Sequence, residues 1–301
     1  MISASACGKF ILLGEHSVVH QGTAIAFPLL NKQLSYSEIP SKKVASYIVN
    51  GEVMKVENVQ KLLELRERLT GLKSLEFNDS IEINTQIPIG SGLGSSAALC
   101  TSLLRAHGIK EGLELAEKAY YGEELFHGRA SGVDPYTIAI EKIINFNSNP
   151  RSYVTLSENP IAESELAFLL LDSGTHHQTK EVLKQSDELK QKDEIYWSQI
   201  IKNLSELSLE ALNLWNTNFS EIGKLMKQAH KLLQELGVSN DSLDSLAEEA
   251  LKAGALGAKL TGAGRGGYIV ALVPAHKINK LVNEVFPKVK TMVWKPKESN
   301  L

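Results

Sequence analysis

The chain has 301 residues, of which 43% are hydrophobic and 22% charged, with a formal net charge of −3. That balance belongs to a globular protein with a substantial core, and the slight negative charge offers no overall attraction to nucleic acid or an anionic membrane, so any anion site must be local. Two cysteines, Cys7 and Cys100, are too few for a disulfide framework or a metal cage and fit a reducing compartment.

The N-terminal stretch MISASACGKFILLGEH has no basic leader and only a short, interrupted apolar run, so neither a signal peptide nor a membrane span is expected, and a cytoplasmic location is. Residues 1–90 read as strands: KFILLG is a buried-type run, TAIAFPL follows a turn at Gln21-Gly22, and SIEINTQIP alternates apolar and polar. Helical periodicity runs from 95 to 128, with breaks near Gly108 and Gly112. KIINFN and AFLLLDSG read as strands, residues 179–254 as helices, and AKL, GYIVALV and KTMVWKP as strands again. This order is α+β rather than a regular βαβ alternation. The polar stretches NSNPRSY and SENPIAES suggest a domain boundary near residue 160, giving domains 1–160 and 161–301.

QIPIGSGLGSSAAL places Gly90, Gly92 and Gly94 between a strand and a helix, with Ser91, Leu93, Ser95 and Ser96 interleaved. A phosphate needs converging backbone N–H groups that side chains would block, and a helix N-terminus adds further donors and partial positive charge. A Walker A loop is excluded because there is no lysine, and a dinucleotide fingerprint wants glycine where Ser95 stands. A plain glycine connection with a serine N-cap remains the alternative. In KLTGAGRGGYIVAL, Gly262, Gly264 and Gly267 satisfy G-x-G-x-x-G, yet a β-type run follows instead of a helix. A Rossmann unit is therefore rejected, and a tight hairpin stays open beside a functional loop.

On a helix over 113–127, Glu123 falls on the side of Leu115, Ala116 and Ala119, while Glu124 and Glu117 fall opposite. An inward carboxylate must be paired or bound to a metal, which makes Glu123 a candidate Mg²⁺ ligand, with an internal salt bridge as the alternative. Asp134 in SGVDPY has the look of an ordinary Asp-Pro turn. Lys9 and the pair Glu15-His16 stand at the two ends of the first strand, either as members of one cleft or as solubilising charges. His176-His177 lack zinc spacing and read as loop residues.

Taken together, GKFILLGEHSVVHQGTAIAFPL, IPIGSGLGSSAAL, GEELFHGRASGVD and KLTGAGRGGYIVAL occur in the order and spacing of the galactokinase, homoserine kinase, mevalonate kinase and phosphomevalonate kinase superfamily. The resemblance runs from Lys9 to Leu272. GEHSVV and the arginine of TGAGRGG resemble the mevalonate kinases, the bacterial ones in particular, whereas phosphomevalonate kinases usually carry Glu-Tyr and galactokinases continue differently.

The resemblance implies an α+β, two-domain small-molecule kinase. An N-terminal domain like ribosomal protein S5 domain 2 and a C-terminal ferredoxin-like domain would flank the active-site cleft. The implied reaction is transfer of the ATP γ-phosphoryl group to the 5-hydroxyl of mevalonate in isoprenoid precursor synthesis. Residues Gly90, Ser91, Gly92, Leu93, Gly94, Ser95 and Ser96 would wrap the ATP phosphates, and Ser96 and Glu123 would hold Mg²⁺. Asp134 would contact the reacting hydroxyl with Lys9 beside it, and Glu15, His16 and Thr179 would face mevalonate. Gly262, Ala263 and Gly264 would close over substrate and phosphates. Neither nucleic acid nor membrane is an implied partner, and relatives make a homodimer an expectation. The chain departs from common family patterns at Ala130, where many relatives have proline, and at His20, where tyrosine is frequent. Kinases of other small alcohols, or a non-catalytic nucleotide-binding regulator, are the rival readings; the presence of Lys9, Ser96, Glu123 and Asp134 speaks against the regulator.

Overall fold

The structure, a computed structural model, describes residues 1–40, 45–72, 79–127, 130–175 and 179–296. It divides into two compact units. One takes Met1–Lys9, Pro28–Pro88 and Gly94–Lys142, and the other takes Phe10–Phe27, Ile89–Leu93 and Ile143–Leu301.

In the first unit, β1 (Ile2–Leu13) begins and β2 (Thr23–Ile39) ends. They are followed by β3 (Tyr47–Val49), β4 (Glu52–Val53), α1 (Val56–Thr70) and β5 (Ser80–Thr85). Leu34–Ile39 of β2 runs antiparallel to β5, which pairs in parallel with β3, which pairs antiparallel with β4. The alternation read in SIEINT is real: Ile81 and Ile83 are buried, and Glu82 and Asn84 are not. Helix α1 corrects the reading of residues 1–90 as strands. Leu62, Leu65 and Arg66 are its buried positions, at helical spacing, in a run of good helix formers that ends at Gly71 in the left-handed region. Helices α2 (Ser95–Ala106), α3 (Gly112–His127) and α4 (Val133–Ile140) complete the unit, and the glycines at 108 and 112 separate the first two as expected.

The second unit holds the remainder of β1 and β2, with Thr23–Ala26 antiparallel to β6 (Ile144–Ser148) and β6 antiparallel to β7 (Arg151–Thr155). After α5 (Asn159–Glu163) come β8 (Leu166–Asp172) and α6 (Thr179–Lys192). Three further helices follow: α7 (Glu194–Leu214), α8 (Phe219–Glu235) and α9 (Asp241–Lys252). Asp193, Asn218 and Asn240 cap these three by accepting the N–H groups of Tyr196, Glu221 and Leu243, satisfying donors the helices cannot. Strands β9 (Gly257–Thr261), β10 (Tyr268–Pro274) and β11 (Thr291–Trp294) close the chain. The sheet order is β11-β8-β10-β9, all antiparallel, which is the ferredoxin-like arrangement the family resemblance implies.

The core of this unit is built on Phe27. Its ring lies 4.8 Å from Phe10, 4.9 Å from Phe168 and 5.0 Å from Trp294, centroid to centroid. Trp215 packs 5.8 Å from Phe27 and donates its indole N–H to Ser157 O at 2.9 Å, so its polar edge is satisfied. Cys7 and Cys100 are buried free thiols, and burial pushes the Cys7 thiol up to about 12. Among the described residues, no helix is long and apolar enough to cross a membrane. Because Phe27 touches several rings at once, Phe27→Ala should lower the unfolding free energy by about 3–5 kcal/mol, read as a fall in the urea midpoint with an unchanged slope.

Candidate functional site

Lys9 ends the part of β1 that belongs to the first unit. Its side chain is 2% exposed, and its ammonium lies 2.8 Å from Asp134 Oδ1, whose side chain is 24% exposed. A buried ammonium is tolerated only with an anion beside it. Asp134 lies in the first turn of α4, behind Gly132 at φ +95°, and not in a free turn. There the Asp-Pro pair costs nothing, since Pro135 has no N–H to lose in a first turn and a carboxylate is favoured at a helix N-terminus. Gly94 makes room for the lysine: a Cβ on it would meet Lys9 Cγ at 3.0 Å and Ile138 Cδ1 at 3.0 Å, at φ +81°.

In the same unit, Ser96 on the first turn of α2 donates to Glu123 Oε1 on α3 at 2.8 Å. Glu123 is 4% exposed, as its place on the helical wheel predicts, whereas Glu124 lies outward and pairs with Arg68 at 2.7 Å. Glu117 departs from the outward expectation: it is half-buried and accepts the hydroxyl of Tyr136. Burial, then the Asp134 charge, pushes the Glu123 carboxyl up to about 8 against the smaller opposing pulls of Ser96 and Lys9. A cation placed against Glu123 and Ser96 would relieve that cost. Among the described residues there is no cluster of three or more His, Cys, Asp or Glu that could hold a metal. A carboxylate and a hydroxyl in contact nevertheless suit Mg²⁺, which takes one or two protein oxygens and completes its shell with phosphate and water.

In the second unit, two glycine loops meet backbone to backbone. A Cβ on Gly262 would stand 2.7 Å from Gly92 Cα, and one on Gly267 would stand 2.4 Å from Ser91 O. Gly90 and Gly92, like Gly94, have φ between +74° and +81°. Residues 262–267 join β9 to β10 as an antiparallel hairpin, so the hairpin reading and the close glycine approach hold together. Arg265 is tied to the turn before α9: its N–H donates to Val238 O at 2.6 Å, and Asn240 Nδ2 donates to its carbonyl at 2.9 Å.

Glu15 and His16 are both buried. His16 Nε2 lies 2.8 Å from Ala263 O, and since a carbonyl only accepts, this nitrogen carries the proton. Burial lowers the His16 pKa to about 4, so the ring is neutral. Glu15 accepts from Lys259, a fully buried lysine on β9 that sequence reasoning missed. Its one trace in the sequence is a charged residue inside the β-type run GAKLT. Lys9 and Glu15 thus have different partners, Asp134 and Lys259. Thr179 opens α6, and its side chain, like His176 and His177, lies outside the described residues.

Residues 56–142 match the GHMP kinases N terminal domain, and residues 208–289 match the GHMP kinases C terminal model. The chain belongs to the GHMP kinase family. Within that family it is similar to mevalonate kinases. It is 30% identical to the mevalonate kinase of Thermococcus onnurineus, over 91% of this chain and 89% of that one. It is also 30% identical to that of Archaeoglobus fulgidus, over 91% and 93%. Its fold is that of the L. major mevalonate kinase solved with R-mevalonate, at TM-score 0.79 and 22% identity, over 99% of this chain and 97% of that one.

The histidines generate a pH dependence. His16 and His230 both fall to about 4 in the fold, chiefly through burial, from about 6.5 unfolded. The unfolded chain then binds more protons between these values, so their stabilisation is complete above about pH 6.5 and is lost as pH falls towards 4. The urea midpoint should drop between pH 7 and pH 5, and drop less steeply in His230→Gln.

Proposed function

We propose that this chain transfers the γ-phosphoryl group of ATP to the 5-hydroxyl of mevalonate, giving 5-phosphomevalonate and ADP for isoprenoid precursor synthesis in the cytoplasm. The observation that carries this reading is the Lys9–Asp134 pair, in which a buried cation holds a carboxylate that is still open to a ligand. The naming of its relatives as mevalonate kinases supports the substrate.

Asp134 accepts the proton of the primary alcohol as its oxygen bonds to the γ-phosphorus and the bond from that phosphorus to the β-phosphate oxygen breaks, releasing ADP. The Lys9 ammonium, 2.8 Å from Asp134 Oδ1, steadies the developing alkoxide. The Gly90–Ser96 loop, with the N-terminus of α2 behind it, cradles the ATP phosphates through backbone N–H groups. Ser96 and Glu123 would hold Mg²⁺, which when bound neutralises charge on the phosphate oxygens. Glu15, His16, Thr179 and the loop of Gly262, Ala263 and Gly264 serve the mevalonate side. On this reading, residues 1–160 form the ATP-binding domain and residues 161–301 the ferredoxin-like one.

ADP release with Mg·ATP should appear with mevalonate and not with phosphomevalonate, galactose or homoserine. Asp134→Asn should cut kcat about 10²–10⁴-fold with little change in KM for ATP. Turnover of another panel member would overturn the substrate, and a fully active Asp134→Asn would overturn its role. Glu123→Gln should raise the Mg²⁺ concentration for half-maximal rate at least about tenfold, since losing even an outer-shell partner of a metal ligand costs that much.

A further inference from the structure

Strand β9 is buried along its whole length, and Lys259 lies within it with no exposed surface. Its ammonium donates to the Glu15 carboxylate and to Leu260 O, the latter at 2.5 Å. A fully buried ammonium would cost several kcal/mol unpaired, and a backbone carbonyl alone supplies only a dipole. Glu15 is therefore a counterion for this buried lysine, and the two side chains, both buried, hold each other in place.

The strand period extends this pairing. Lys259 and Thr261 point to one side of β9, and both reach the segment that ends β1. Thr261 Oγ1 accepts from Ile11 N at 2.9 Å and donates to Ile11 O at 3.0 Å. Two residues further on, Ala263 O meets His16. The turn these contacts hold is strained: His16, not a glycine, has φ +62°, and a Cβ on Gly14 would stand 2.2 Å from Thr23 O. Such a conformation persists only where its surroundings impose it. Ile11, Glu15 and His16 are each fastened to β9 or the loop that follows, Glu15 through the Lys259 ammonium.

We propose that Lys259 is a positioning residue for the phosphoryl acceptor: through Glu15 it sets the Glu15-His16 turn, and hence affinity for mevalonate, without touching either substrate. This rests on the reading of Glu15 and His16 as mevalonate-binding residues. Support comes from His16 itself, whose neutral state owes part of its stability to the nearby Lys259 charge, after burial and His20.

The test is a double-mutant cycle on KM, run on Glu15→Gln, Lys259→Met and the double variant, with thermal unfolding to verify that each is folded. Lys259→Met should raise KM for mevalonate at least about tenfold, roughly 1.4 kcal/mol, while KM for ATP stays within about twofold. The double variant should match Glu15→Gln within about twofold, because Lys259 acts only through that carboxylate. If Lys259→Met fails to fold, because the buried Glu15 carboxylate loses this ammonium, the comparison of Glu15→Gln with the double variant decides alone. Multiplying effects in the double variant, or a lowered melting temperature with both KM values unchanged, would overturn the proposal and leave Lys259 a purely structural residue. No wild-type turnover of mevalonate would overturn the functional reading and this proposal together. Turnover with an insensitive KM would overturn this one alone.

Discussion

The burial of the Lys9 ammonium is the constraint on which the first unit depends. A cation with 2% exposure needs a fixed anion within reach, and Asp134 supplies it from the first turn of α4. Much else follows from that requirement. Gly94 lacks a side chain because the lysine stem passes where its Cβ would be. Gly132 adopts a left-handed conformation just before α4, so that Asp134 enters the helix at its first turn. Glu123, buried and within the field of Asp134, is pushed towards its protonated form. Two carboxyls and one ammonium thus share a small volume. An arrangement of this kind is costly for stability alone, and perturbed groups of this sort gather where chemistry is done.

The second unit solves a related problem by different means. Two of its buried charges, Glu15 and Lys259, pair with one another, and its loops rely on the absence of side chains. Gly92 and Gly262 come as close as backbones allow, so the loop that precedes α2 and the hairpin after β9 hold each other without any side-chain contact between those residues. Backbone amides held in this way keep their direction without help from side chains. Arg265 belongs to the same framework: its backbone anchors the hairpin to the turn before α9.

Legibility in the sequence followed period and chemistry. Glu123 could be told from Glu124 because a helix turns neighbours about 100° apart, and burial separates them as that rule requires. The strands of the second sheet were readable because each is a short apolar run bounded by turn residues. Helix α1 was missed because only Leu62, Leu65 and Arg66 are buried, too thin a stripe to outweigh the strands around it. Asp134 was ambiguous for a physical reason: Asp-Pro suits a loop turn and a helix first turn equally, and only the position of Lys9 separates them. Lys259 was illegible, since a lysine in a β run ordinarily marks an exposed edge, and its partner lies 244 residues away in the chain.

The central claim is that a phosphoryl group passes from ATP to a primary alcohol oxygen, and the product carries the record of that transfer. Phosphorus NMR of a reaction of the wild-type chain with R-mevalonate and Mg·ATP tests it most directly. The account predicts a new phosphomonoester resonance, split by the adjacent methylene protons, that grows in step with ADP. Growth of inorganic phosphate with ADP, and no such ester, would contradict it.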